Sequence, residues 1–333
     1  MTPQTSGPPA EPLPIEALRR AAEAGRPAAM TELAKRLMVG RGAPLDPQEA
    51  QGLLSNALSL GDAEAACFAA TLAAAGAWRP QSWDDAFDLL ALAAERGSTL
   101  AQAQLRLLAY AREPETDWLS MRASVDVSPW MDAPARTPVC ETPRIRIAQG
   151  FISPDVCAWL VARARDKLQP AKMVDGFGAT PRFTADRTNS DFIIDIVEAD
   201  VVMTLVRARI SAFIKLPTVA FEPPQVLHYA VGQELKPHFD FLTRGETAAR
   251  DGEQGDRVAT VLIYLNDGYE GGETDFPRAG FRHKGGEGDA IVFANVDLAG
   301  KPDPLTLHAG LPPRRGEKWL FSQWVRDRPF AVG

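Results

Sequence analysis

His238-Phe239-Asp240 is the stretch on which the reading of this chain turns. On an extended strand, residues two apart share a face, so the imidazole and the carboxylate would point the same way. The chain holds four histidines, and His308, 70 residues further on, would supply a third donor from a neighbouring strand. Two imidazoles and one carboxylate on one face of a metal leave the opposite face open, an arrangement suited to Fe(II). Ten residues beyond His308, Lys318 precedes the apolar run Trp319-Leu320-Phe321. An unpaired ammonium is costly in such surroundings, so an anionic partner is expected, and the distal carboxylate of 2-oxoglutarate would fit. His228 and His283 are read as bystanders, the first on the other face of its strand and the second in the polar turn Arg282-His283-Lys284-Gly285-Gly286.

An HxD triplet alone is weak, since motif matches are hypotheses until their context agrees. Here the context is Gly271-Gly272-Glu273-Thr274, Gly288-Asp289-Ala290-Ile291-Val292-Phe293 and His308-Ala309-Gly310-Leu311-Pro312. With these motifs in this order, the chain from Pro143 to about Arg328 resembles the catalytic domain of prolyl 4-hydroxylases, Fe(II)- and 2-oxoglutarate-dependent dioxygenases. The resemblance implies Fe(II) held by His238, Asp240 and His308, with 2-oxoglutarate and O2 as co-substrates, succinate and CO2 as products, and ascorbate as a further cofactor candidate. It implies that Lys318 pairs with the C5 carboxylate, that Tyr229 hydrogen-bonds the co-substrate and that Thr274 lies near its tail. Arg257 and Trp324 fall at positions associated with peptidyl-proline binding. Asp240 argues against halogenation, because related halogenases carry a small residue there. One departure stands out: three residues before the first metal histidine the family has a substrate-facing tyrosine, and here that position is Leu235. A site built around a hydroxyl discriminates differently without it, so the reaction class is better founded than proline as the substrate.

A chain of 333 residues has room for two domains and a sizeable core. Its 45% hydrophobic and 24% charged residues are ordinary for a globular protein. A net charge of −7, with no cluster of Lys and Arg, argues against a nucleic-acid surface. The opening Met1-Thr2-Pro3-Gln4-Thr5-Ser6-Gly7-Pro8-Pro9 lacks the basic and apolar regions of a secretion signal, and no apolar run reaches membrane-spanning length. Three scattered cysteines do not make a disulfide framework. The expectation is a cytoplasmic protein acting on a protein or peptide.

Residues 1–13 are Pro-rich and expected to be disordered. Residues 14–112 repeat with a period of 36: Gly25, Gly61 and Gly97 are in register, as are Leu18, Leu54 and Leu90, Ala21, Ala57 and Ala93, and Ala29, Ala65 and Ala101. Gly40 with Gly76 and Ala50 with Ala86 keep the same step. Each glycine follows an apolar helical stripe, where a left-handed residue ends a helix. Two helices per unit at such a period predict a helical solenoid, and Leu33-Ala34-Lys35-Arg36-Leu37, Gly40-Arg41-Gly42 and Ala57-Leu58-Ser59-Leu60-Gly61 resemble Sel-like tetratricopeptide repeats. Residues 113–142 form a connector whose Trp118 and Trp130 are expected to pack against a domain.

In residues 143–333, Ser153-Pro154 opens a helix to about Lys167 and Val201–Lys215 forms a second. Beyond Pro223-Pro224 come β-rich runs at 226–229, 258–265, 290–293 and 318–325, bounded by turn residues. The predicted class is α+β in two domains, an all-α solenoid followed by a jelly-roll sheet pair, which the resemblance specifies as a double-stranded β-helix with flanking helices. Other readings are the same chemistry on another side chain or a small molecule, a solenoid adaptor carrying a 2-oxoglutarate sensor, or a zinc hydrolase. The last leaves Lys318 and Thr274 without a role.

Overall fold

The computed structural model describes residues 13–111, 115–173, 180, 182–241 and 255–330. The expectation of disorder at the N-terminus falls on residues outside this set. The chain divides into two units, with the break between Ser124 and Val125.

The first unit carries α1 (Ile15–Glu23), α2 (Pro27–Val39), α3 (Pro47–Ser59), α4 (Ala63–Ala75), α5 (Trp83–Glu95), α6 (Thr99–Leu108) and α7 (Trp118–Ser124). Gly25, Gly61 and Gly97, just past α1, α3 and α5, have φ of +78°, +88° and +93°, a backbone that L side chains resist, so the period of 36 is a period of helix stops. The in-register Leu18, Leu54 and Leu90, with Ala57, Ala93, Ala65 and Ala101, are buried. Asp62 caps α4 through the Ala65 amide and also accepts from Thr31 Oγ1 (3.0 Å), joining one repeat to the next. Ser98 does the same for α6, capping at Ala101 and donating to Glu64 (2.7 Å). A cap of this kind contributes about 1 kcal/mol. The connector proves structured. Its α7 belongs to this unit, with Arg106 over the Trp118 ring and Arg122 paired to Asp84 and Asp88.

In the second unit α8 (Ser128–Met131) is held by Arg209, which donates to the carbonyls of Pro129 and Trp130. Trp118 and Trp130 therefore lie in different units. Strands β1 (Thr137–Cys140) and β2 (Ile145–Ala148) precede α9 (Pro154–Arg165), which Ser153 caps at Val156 as the Ser-Pro signal predicts. Then come β3 (Gln169–Pro170), β4 (Ser190–Ile193), α10 (Val201–Ile214), β5 (Gln225–Tyr229), β6 (Leu235–His238), β7 (Arg257–Tyr264), β8 (Glu270–Gly271), β9 (Thr274–Phe276) and β10 (Phe281–His283). The last strands are β11 (Ala290–Ala294), β12 (His308–Gly310), β13 (Pro313–Arg315) and β14 (Lys318–Arg326).

Among the described residues these strands form an eight-stranded sheet in the order β1-β2-β11-β7-β14-β5-β4-β3 and a four-stranded sheet in the order β10-β9-β12-β6, with β13 and β8 paired apart. Alternation sorts the side chains. Leu227, Tyr229, Leu262, Tyr264, Ile291, Phe293 and Leu320 of the large sheet share one cluster with Leu235 and Phe276 of the small one, so the core lies between the sheets. Val226, Val261, Ile263, Phe321 and Val325, of opposite parity, are fully buried on the other face, where α9 meets β5. Full burial of each such side chain contributes about 1.5–3 kcal/mol. No helix among the described residues is long and apolar enough to cross a membrane.

Two local expectations are corrected. Asp240 lies beyond the end of β6 at His238, so the HxD triplet is a strand end rather than a strand interior. His283 ends strand β10, stacked on Phe281 and edge-on to Tyr264, and is not in a turn: its pairing with Thr274 on β9 supplies an order that its glycine-rich flank does not signal.

Candidate metal and dicarboxylate site

The small sheet assembles the donors. Strand β12 pairs antiparallel to β6 with His308 directly opposite His238, and the rings lie 4.3 Å apart between centroids. Asp240 completes a cluster whose ligand atoms all fall within 4.8 Å of one another. His238 Nε2 lies 3.5 Å from Asp240 Oδ1, and His308 Nε2 lies 3.5 Å from Oδ2. The other ring nitrogens are engaged: His238 Nδ1 donates to the Lys236 carbonyl (2.9 Å) and His308 Nδ1 to the Thr306 carbonyl (3.0 Å). A carbonyl can only accept, so each Nδ1 carries the proton and each Nε2 presents a lone pair. Two lone pairs and a carboxylate turned on one another repel until a cation lies between them, which is the fit expected of a metal centre.

The charges agree. Burial, with His238 alongside, pushes His308 down to about 4 despite Asp240. Burial alone would raise Asp240, but the two imidazoles and the Thr260 hydroxyl hold it well below the usual carboxylate range. Neutral imidazoles and an ionised carboxylate are the forms that bind a divalent metal. Phe276 and Phe293 pack on the His308 ring and shut water out from that side.

A second group lies deeper between the sheets. Lys318 opens β14 opposite Tyr229 of β5 and is 0% exposed. Its Nζ donates to the Gly272 carbonyl (2.7 Å) and lies 5.1 Å from the Tyr229 ring centroid. Among the described residues no carboxylate pairs with it, so the anionic partner expected from the sequence is not supplied by these residues. Burial pushes its ammonium down to about 7, with Glu273 opposing the shift. The Gly271-Gly272 motif explains itself here: both residues have positive φ, and a Cβ on Gly272 would come within 2.9 Å of the Tyr269 ring. Thr274 is buried and shares a 3.0 Å hydrogen bond with the Tyr264 hydroxyl. Gly310 leaves room for Tyr229, since a Cβ there would stand 3.1 Å from the phenolic oxygen. Among the described residues this buried amine and the nearby hydroxyls have no facing carboxylate, an arrangement that could receive an anion.

The third set lies on β7 and β14. Trp324 pairs with Thr260 across the two strands, so their side chains share a face. Arg257 covers the Trp324 ring at 3.6 Å and is gripped by Glu222 through hydrogen bonds of 2.6 and 2.8 Å. Burial would raise the Glu222 carboxyl, but Arg257 and Arg326 hold it below its ordinary value. Leu235 is buried in the cluster of Tyr229 and Tyr264. His228 stays away from the donors, bonded to Glu317 and packed on Trp319.

Sequence reasoning missed Tyr264, Glu222, Thr260 and Asn295. Tyr264 could be placed by parity, since Thr260, Leu262 and Tyr264 alternate along β7. Glu222 and Asn295 lie outside strands and carry no local signal.

Two packed β-sheets carrying a two-histidine, one-carboxylate cluster and a buried lysine fit a class of metal-dependent enzyme. Residues 224–326 match the family model of the 2OG-Fe(II) oxygenase superfamily. Prolyl 4-hydroxylase 1 of Arabidopsis thaliana is 35% identical over 201 residues, covering 56% of this chain and 70% of the relative. The chain belongs to the 2OG-Fe(II) oxygenase superfamily, with prolyl 4-hydroxylases among its relatives, and is a 2-oxoglutarate-dependent dioxygenase that uses Fe(II) and O2. Among solved structures, a viral collagen prolyl hydroxylase from Paramecium Bursaria Chlorella virus-1, in its 2OG complex, is 28% identical, covers 56% of this chain and 98% of that one, and gives a TM-score of 0.44. A Sel1 repeat protein from Oxalobacter formigenes is 23% identical, with 33% and 88% coverage and a TM-score of 0.28.

Proposed function

We propose that this dioxygenase hydroxylates a peptidyl residue, proline above others, through a double-stranded β-helix whose two sheets enclose the site. The observation that carries the reading is the three-donor cluster of His238, Asp240 and His308 together with the buried Lys318, which among the described residues has no carboxylate partner. His238, Asp240 and His308 would hold Fe(II); Lys318, Thr274, Tyr229 and Tyr264 would hold 2-oxoglutarate. When bound, Fe(II) and 2-oxoglutarate activate O2, yielding succinate, CO2 and a hydroxylated carbon. The protein's own part is to orient and to exclude water: the Lys236 and Thr306 carbonyls hold each imidazole's Nδ1–H and so fix its orientation, and Phe276 and Phe293 shield His308. Arg257 and Trp324 offer a flat cationic and aromatic face suited to a proline ring and its peptide, with Glu222 holding the guanidinium in place. The proline preference rests on the named activity of the relatives together with this face. Mass spectrometry of peptides incubated with enzyme, Fe(II) and 2-oxoglutarate tests it: one added oxygen on proline is expected, and oxidation confined to another residue would redirect the assignment.

Leu235 narrows the substrate. It turns an apolar side chain into the core where relatives are expected to present a phenol. Collagen-like proline-rich peptides should therefore be poor substrates although 2-oxoglutarate binds normally, as read from peptide kcat/KM beside co-substrate affinity. Efficient turnover of such peptides would make Leu235 a neutral replacement.

The helical repeats would dock a macromolecular substrate and raise its effective concentration at the catalytic unit. Cutting the chain between Ser124 and Val125 should leave metal and 2-oxoglutarate binding intact while sharply lowering hydroxylation of an intact protein substrate. Equal hydroxylation by the truncated and full chains would exclude docking.

A further inference from the structure

Behind the three donors lies a polar pair that touches neither the metal position nor the buried cation. Thr260, in the middle of β7, donates its hydroxyl hydrogen to Asp240 Oδ2 at 2.7 Å. Asn295, just past β11, donates from Nδ2 to Thr260 Oγ1 at 3.0 Å. Both side chains are buried, at 1% and 0% exposure. A hydroxyl has a single hydrogen, so by filling an acceptor site on Oγ1 the Asn295 amide directs that hydrogen toward Asp240. The pair is mounted rigidly: the Asn295 amide bonds the Val258 carbonyl (2.9 Å), and its carbonyl accepts from the Asp303 amide (2.9 Å). Among the described residues Asn295 Oδ1 has no hydrogen-bond partner, which is costly in a buried site, so the side chain's polar contribution there is its donor.

We propose that Asn295 and Thr260 form a two-step relay of positioning residues that sets the rotation of the Asp240 carboxylate and thereby the affinity and geometry of the metal centre. The inference rests on His238, Asp240 and His308 being the metal ligands. With Oδ2 tied to Thr260, Oδ1, which faces His238 Nε2, would be the oxygen turned toward a bound metal. Without the relay the carboxylate turns freely, so the donor set loosens while the core keeps its shape. Outer-shell partners of this kind are worth about 10–100-fold in metal affinity.

The test is an anaerobic titration of the full-length protein with Co(II), followed through its visible ligand-field bands, in wild type, Thr260→Val, Thr260→Ser and Asn295→Ala. Valine keeps the branched shape of threonine and puts a methyl where the hydroxyl stood. The expected result is a Kd raised about 10–100-fold in T260V, with altered bands and a lowered melting temperature because the buried Asn295 amide loses its acceptor, and near-complete rescue of both in T260S. Asn295→Ala should weaken binding by a smaller factor. T260V that binds Co(II) with wild-type affinity and spectrum would overturn the relay while leaving the ligand assignment standing. Should T260V not fold, Asn295→Ala decides: a weakened, shifted site supports the relay, and an unchanged one overturns it. Wild type that takes up no metal at all would remove the ligand assignment and the relay together.

Discussion

Replacing His308 by alanine is expected to abolish 2-oxoglutarate turnover while the protein remains folded. His308 is one of three donors within 4.8 Å, its Nε2 faces Asp240, and among the described residues no fourth donor joins the cluster to take its place. The ring is packed by Phe276 and Phe293, so its loss leaves a cavity at the edge of the core without breaking a strand, because the pairing of β12 with β6 and β9 uses backbone groups. The check is succinate formation alongside a thermal melt. Near-normal turnover in a folded variant would contradict the assignment.

The second large effect belongs to Lys318. If it neutralises the C5 carboxylate, Lys318→Ala leaves a buried anion without its cation, a loss on the order of 3–5 kcal/mol. That corresponds to an apparent KM for 2-oxoglutarate raised by about a hundredfold or more. The pH dependence has a definite sign. In the free protein burial lowers the ammonium from 10.5 to about 7, with Tyr229 and Tyr264 as its aromatic neighbours and the Glu273 charge opposing the shift. The charged form is thus penalised in the folded free protein: the penalty is full below pH about 7 and fades as pH rises toward the unfolded value. An uncharged Lys318→Met variant should accordingly gain stability over wild type most at pH about 6 and least near pH 10. Binding the dianion favours the charged form, so 2-oxoglutarate affinity should fall about tenfold per pH unit above about 7. Calorimetric titrations across that range check this, and a flat profile would place the carboxylate elsewhere.

Much of this architecture is legible in the amino-acid sequence alone. The helical repeats announce themselves because their stops are local: Gly25, Gly61 and Gly97 each have positive φ, and a glycine at a fixed step is visible in the text. The long strands β7 and β14 show as β-branched and aromatic runs. The small sheet is harder to see, since β6 contains Pro237, and β9, β10 and β12 span three residues each, too short for periodicity to register. The strand position of His283 is hidden for that reason. Within the site, His238, Asp240, His308 and Lys318 stand out because a charge or imidazole in apolar text is conspicuous. Thr260, Tyr264 and Asn295 do not, because their roles depend on which strand lies beside which. The same holds for Glu222, whose partners Arg257 and Arg326 come from two later strands.

On the reading proposed above, this chain couples 2-oxoglutarate oxidation to substrate hydroxylation at His238, Asp240 and His308. The most direct test of that coupling is turnover with isotopically heavy O2 in the presence of Fe(II), 2-oxoglutarate and a proline-containing peptide, with succinate and peptide both read by mass spectrometry. The expected result is one heavy oxygen in succinate and one in the peptide, formed in equal amounts and both lost in H308A. Modification without O2 uptake, or a metal-dependent hydrolysis with no succinate, would contradict it.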